Sequence, residues 1–166
     1  VIPPTWAVKG LQARKAWPSL RPLTGVVETP TIRADGTILD APGWDARTGL
    51  LYAPSIDFPR IPDSPTREDA RIAAEILLDI VCDVPFKDRR HAAAWLAALL
   101  TVIARHAVEG AVPMFVFSAN IRAVGKSLLC DLINAIAAGR GMPRKSMPTS
   151  EEEFGKVVVA IARAGD

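Results

Sequence analysis

The eight residues "NIRAVGKS", Asn120 to Ser127, are the stretch whose types and spacing point most directly to chemistry. A loop that holds a polyphosphate needs three things: backbone N–H groups turned toward the anion, the positive dipole end of a helix N-terminus, and a lysine reaching the outer phosphates. A hydroxyl directly after that lysine can ligate Mg²⁺. The spacing G-x-x-x-x-G-K-[ST] encodes all of these. Here Gly125, Lys126 and Ser127 fit it, while Asn120 stands at the position of the first glycine. Asparagine is the non-glycine residue that best tolerates positive φ, so the departure is a mild one.

A Gly-Lys-Ser triplet occurs often by chance, and the weight therefore rests on the elements around it. The apolar run Pro113–Phe117 has the length and composition of an interior parallel strand. From Lys126 to about Ala138 the spacing of Leu129, Leu132, Ile133 and Ile136 predicts a helix with those four side chains turned inward. Strand, loop and helix thus follow in the order a phosphate site requires. Hydrolysis would further need an acid at the tip of another strand. The only later apolar run, Val157–Ile161, is followed by Ala162, Arg163, Ala164, Gly165 and Asp166, with no acid directly at its end. Glu151 to Glu153 follow Ser150 and read as first-turn charges of a last helix, to about Ala164. Asp131 reads as a solvated or capping carboxylate.

Other reactive side chains are less organised. His91 and His106 have no cysteine, histidine or carboxylate at ligand spacing, which argues against a metal site. Arg105 and His106 suit a helix C-terminus. Cys82 and Cys130 lie far apart in apolar helical patterns and read as small buried hydrophobes, as expected in a reducing cytoplasm. Arg122, Arg140, Arg144 and Lys145 flank the loop as a basic set, available to a polyphosphate or nucleic-acid backbone or simply solvated.

Composition bounds these readings. The 166 residues are 49% hydrophobic and 23% charged, which is a folding composition, with a formal net charge of +2. Such a balance does not by itself mark a nucleic-acid binder, but its distribution is uneven. Residues 54–85 hold seven acids and three bases, and residues 86–145 hold nine bases and three acids. An anionic partner would meet the second half. The most apolar segment, Ala92–Ala104, is too short to span a bilayer, and the N-terminus lacks a secretory layout. A soluble, cytoplasmic protein with no membrane partner is expected, and the chain reads as a piece of a longer one.

Three regions position the loop. Residues 1–65 contain ten of the 14 prolines and three of the four tryptophans. A short helix is expected through Trp6 to Trp17. A hairpin should pair Thr31–Arg33 with Thr37–Leu39 around Asp35-Gly36, and a second should pair Trp44 with Leu50–Tyr52. Trp6, Trp17 and Trp44 would form a small core beneath them. Residues 66–110 read as a helical pair. The first helix opens on a capping box, Thr66 with Asp69, and runs to about Cys82, with Ile72, Ile76 and Ile80 beside Ala73, Leu77 and Val81 on one apolar face. The second, roughly Asp88–Ala107, is apolar nearly all round its middle and should be buried between layers. Residues 111–166 hold the strand, loop, helix and last helix. The fold class is α/β, helix-dominated: a small β-hairpin region, a helical pair, and the incomplete start of a P-loop sheet.

Taken together, "LTGVVETPTIRADGTILDAPGWDARTGLLYAP", "PTREDARIAAEILLDIVCDVPFKDRRHAAAWLAALLTVIARHAV" and "VPMFVFSANIRAVGKSLLCDLI" resemble the linker and first motor elements of phage- and prophage-type primase-helicase proteins. In that family a segment of the form Pt-x-R-x-DG, then pGyD-x-x-TgL, and a helical pair precede a P-loop motor of the superfamily 3 helicase or AAA+ kind. The likeness extends from about Leu23 to the end of the chain, with Trp44 where the family usually has tyrosine. It implies ATP and Mg²⁺ as cofactors, and a DNA partner and a ring-shaped homo-oligomer for the full-length parent. The nucleotide would contact Asn120, Ala123, Val124, Gly125, Lys126, Ser127 and Leu128, with the Ser127 hydroxyl on the metal. The family's hydrolytic elements would lie beyond Asp166, leaving this chain an ATP-binding portion without catalytic residues. The alternative is a non-enzymatic DNA- or protein-binding module whose loop is structural. A kinase-like P-loop enzyme would need a complete sheet within the chain.

Overall fold

The computed structural model describes residues 3–14, 17–121, 124–139, 141, 144–146 and 148–164. Its architecture is α/β and helix-dominated. Helices α1 (Thr5–Ala13), α2 (Arg67–Asp79), α3 (Arg89–Ile103), α4 (Lys126–Ala138) and α5 (Glu151–Ala164) accompany two small sheets confined to residues 25–52. In the first sheet, β5 (Leu50–Tyr52) lies between β1 (Gly25–Val27) and β4 (Gly43–Trp44). The second is the hairpin of β2 (Thr31–Ile32) and β3 (Ile38–Leu39).

The hairpin forms where the turn chemistry predicts it. Thr31 pairs with Leu39 and Ile32 with Ile38. Gly36 takes φ 81°, which an L side chain resists, and Asp35 Oδ1 accepts from the Thr37 N–H at 3.1 Å. β4 pairs antiparallel with β5, placing Trp44 opposite Leu51. Local pattern does not reveal the parallel pairing of β1 with β5, Gly25 opposite Leu50, because only tertiary packing brings those segments together.

The segment from Arg33 to Thr48 acts as a structural clasp. Arg33 grips Asp45 through two bonds, Nε to Oδ2 and Nη2 to Oδ1, each 3.1 Å. Arg33 Nη1 also donates to Ile38 O at 2.6 Å. On its other side Asp45 Oδ2 accepts from Thr48 Oγ1 at 2.7 Å and from the Thr48 N–H at 3.2 Å. The planar fork of arginine matches a carboxylate at both oxygens, so this one pair joins the hairpin to the β4–β5 turn. The Arg33 and Thr48 bonds hold the Asp45 carboxyl below its ordinary pKa of 3.8. Beneath the clasp lies a core of Leu39, Leu50 and Tyr52, with Val27 against it. The tryptophans are not that core: Trp6 is 77% exposed, Arg14 stacks over Trp17, and Trp44 donates its indole N–H outward to Pro22 O at 2.9 Å.

The helices form the larger core, Val81, Trp95, Ala98, Leu99, Leu129, Ile133 and Ala137. α2 and α5 begin on the caps the sequence predicts, α3 begins on a further one, and α1 spans Thr5–Ala13 rather than Trp6 to Trp17. Thr66 and Asp69 complete a reciprocal capping box at α2, Asp88 caps α3 by accepting from the Arg90 N–H at 2.8 Å, and Ser150 accepts from Glu153 at α5. The expected apolar face of α2 is split. Leu77 and Val81 turn inward, whereas Ile72, Ile76 and Ile80 are exposed, because α3 covers only one side of α2. α2 also ends at Asp79, and the following turn leaves Cys82 exposed rather than buried. α3 ends at Ile103 and continues as a 3-10 turn over Arg105–Ala107. It is buried on the side that meets α4, but Leu100 is half exposed.

The two cores are joined by two threonines. Thr29 Oγ1 donates to Ala137 O at 2.5 Å and Thr31 Oγ1 to Ile103 O at 3.1 Å. Both acceptors sit in the last turns of α4 and α3, where carbonyls run out of helical partners. The β region therefore stands at the C-terminal ends of these helices and leaves the N-terminal end of α4 to the opposite side. No helix among the described residues is long and apolar enough to cross a membrane.

Candidate phosphate-loop site

The expected strand at Pro113–Phe117 has no ladder partner among the described residues and belongs to neither helix nor sheet. Its side chains still alternate. Phe115 and Phe117 pack on the helical core, while Met114 and Val116 are 87% and 76% exposed. Among the described residues this period-two burial comes without a neighbouring strand, with Phe115 and Phe117 as its contacts to the core. The helix after the loop matches the sequence reading residue for residue. α4 spans Lys126–Ala138, with Leu129 and Ile133 buried and Leu132 and Ile136 packed at the margin.

Gly125 is the N-cap of α4 and sits in the left-handed region, φ 83° and ψ 12°. Only glycine adopts this without strain, and the residue carries no side chain to cap the helix. The first intrahelical bond runs from the Leu129 N–H to Gly125 O at 3.0 Å. The N–H groups of Lys126, Ser127 and Leu128 precede it, and no side chain caps them. Lys126, the first helical residue, folds back so that Nζ lies 3.5 Å from Ile121 O. Its ammonium is thus held over the loop by a weak contact that an anion can replace.

A cleft of about 640 Å³ opens beside this loop, within the range of roughly 300–1,000 Å³ typical of small-ligand sites. Of the predicted residues, Asn120, Val124 and Lys126 line it. Ser127 and Leu128 are exposed and do not line it, since each lies about 100° further round the helix. Ala123, and with it Arg122, Arg140 and Asp166, falls outside the described residues. Arg144 is committed to an ion pair with Asp131, which identifies that carboxylate as a tether rather than a metal ligand. Among the described residues no group of three or more His, Cys, Asp or Glu side chains could hold a metal ion.

The sequence reading did not foresee the rest of the lining. Phe86, Lys87 and His91 come from the α2–α3 connection and the first turn of α3, and Trp95 from the next turn. Trp95 is fully buried and donates its indole N–H to Leu129 O at 3.1 Å, fixing the first turn of α4 against α3. A signal was present in Phe86-Lys87, an aromatic beside a cation just before a helix. Only the packing of α3 on α4 places it at the loop. His91 Nδ1 lies 3.0 Å from Asp88 Oδ1, an interaction that lowers the Asp88 pKa. Further away, burial and then Arg105 lower the pKa of His106, and Arg105 donates to Val108 O at 2.9 Å at the end of the helix. Burial raises the pKa of the half-buried Cys130 thiol, making it a poor nucleophile.

No protein-family model, curated protein or solved structure matches this chain.

Proposed function

We propose that the chain binds a nucleoside triphosphate, ATP with Mg²⁺, at the N-terminus of α4, as the nucleotide-binding portion of a phage-type DNA helicase or primase-associated ATPase. One observation carries the reading: an uncapped helix N-terminus, preceded by a left-handed glycine and opened by a lysine folded over its own loop, beside a ligand-sized cleft. Lys126 would reach the outer phosphates, the N–H groups of Lys126 to Leu128 would meet the inner ones, and Ser127 would offer its hydroxyl to the metal. No carboxylate lines the cleft among the described residues. These side chains therefore bind and orient a phosphate chain but supply no group to activate water. DNA and ring assembly belong to the proposal for the longer parent, as does a cytoplasmic location.

Calorimetric titration with Mg-ATP of the parent chain and of Lys126→Ala tests the reading. Heat in the parent and its loss in the variant are expected, and an absence of binding at millimolar nucleotide would sink it. The missing ladder at Pro113–Phe117 favours a second reading, a DNA- or protein-binding module in which the loop is structural. That module would bind DNA in a salt-sensitive way, indifferent to ATP and to Lys126.

A further inference from the structure

Two separate stretches build the cleft beside α4: residues 115–121 with 124–129, and the α2–α3 connection with the start of α3. Its lining holds Lys126, Lys87 and His91 and no carboxylate among the described residues. Lys87 has neither an ion pair nor a hydrogen bond among the described residues, although acids are plentiful just before it in sequence. His91 turns Nδ1 to Asp88, and among the described residues its Nε2 has no partner. Below the cations the lining is apolar and aromatic, with Phe86, Trp95, Phe115 and Phe117. Two lysines line one cleft whose described lining holds no carboxylate, so an anion with several charged oxygens gains from both when it enters.

We infer that Lys87 is the second cation of the ligand site, contributed by the α2–α3 connection, and that the ligand is a nucleotide carrying two or more phosphates. This rests on the phosphate-loop reading of Lys126 and extends it to a residue outside the motif. The polyphosphate bridges Lys126 and Lys87, and the aromatic floor accommodates the base. A charge-assisted contact of this kind corresponds to about a tenfold change in affinity for an exposed lysine.

The test is calorimetric titration of the full chain with ATP, AMP and inorganic triphosphate at one ionic strength, in four forms: parent, Lys126→Ala, Lys87→Ala and Arg90→Ala. Lys87 is exposed, so its removal leaves the core intact, and far-ultraviolet circular dichroism verifies that. Arg90 is a neighbouring exposed cation that does not line the cleft, and it controls for net charge. Lys87→Ala is expected to weaken ATP and inorganic triphosphate about tenfold and AMP less than twofold, with Arg90→Ala unchanged. Parent-like ATP affinity in Lys87→Ala, alongside loss in Lys126→Ala, overturns the assignment of Lys87 and leaves the phosphate loop standing. An equal loss in Arg90→Ala overturns it as well, since the effect is then one of net charge. If the parent binds neither triphosphate, or Lys126→Ala binds as the parent does, the phosphate-loop reading and this inference fall together.

Discussion

Replacing Gly125 by alanine isolates a single backbone angle. With φ 83° and ψ 12°, the position asks an L-residue to adopt the left-handed conformation, at a cost of about 1–2 kcal/mol. A Cβ built there meets nothing within 4 Å, so no packing penalty adds to the strain. The expected loss is therefore about 1–2 kcal/mol, or roughly 2–8 °C in Tm at 2–4 °C per kcal/mol for a chain of this size. Gly49 provides the contrast. Its φ of 72° carries the same strain, but a Cβ there would lie 2.6 Å from Thr24 Oγ1, which itself donates to Thr48 O at 3.0 Å. Gly49→Ala must displace that hydroxyl as well and should cost about 1 kcal/mol more. Equilibrium urea unfolding of the parent, both alanine variants and Gly125→Asn measures these differences. Asparagine should recover part of the loss at 125, because it tolerates positive φ. Gly125→Ala as stable as the parent would refute the left-handed cap. A loss above about 3 kcal/mol would refute the open space around it, since that is the scale of a core truncation.

Two further predictions concern the supports of the site and the clasp. Trp95→Phe removes the indole donor to Leu129 O and the outer ring from a fully buried position, and should destabilise the chain by about 2 kcal/mol in urea unfolding. An unchanged midpoint would show that α3 does not anchor the first turn of α4. The Asp45 carboxyl, held below 3.8 by Arg33 and then Thr48, contributes stability that is fully present above its unfolded pKa and is lost as pH falls through the lower folded value. The stability gap between the parent and Asp45→Asn should accordingly be constant from pH 7 to about 5 and narrow progressively as the pH falls past 3.8 and through the lower folded value. A gap that does not narrow at all as the pH falls below 3.8 would mean that the charge on Asp45 is not what holds Arg33.

Much of the local structure was legible because its causes are local. Capping needs only the few residues around a helix start, so Thr66 with Asp69 and Ser150 mark two helices in the sequence and in the structure alike. The turn at Gly36 and the inward stripe of α4 follow from residue chemistry and a 3.6-residue period in the same way. Errors arose where burial depends on a partner. Ile72, Ile76 and Ile80 have the spacing of a core stripe but lie outside the reach of α3, and the Pro113–Phe117 run has strand composition without a strand beside it. Tryptophan size suggested a core that the small sheets are too narrow to enclose.

Local pattern was enough to mark Lys126 as the opening residue of a helix and Leu129, Leu132, Ile133 and Ile136 as its inward stripe. Tertiary structure alone decided which residues face the loop before it. Packing α3 on α4 brings Lys87 and His91 to the cleft from more than thirty residues upstream, and Thr29 and Thr31 fasten the other ends of the same helices. A cleft is a property of two surfaces, and a chain read one segment at a time records only one of them.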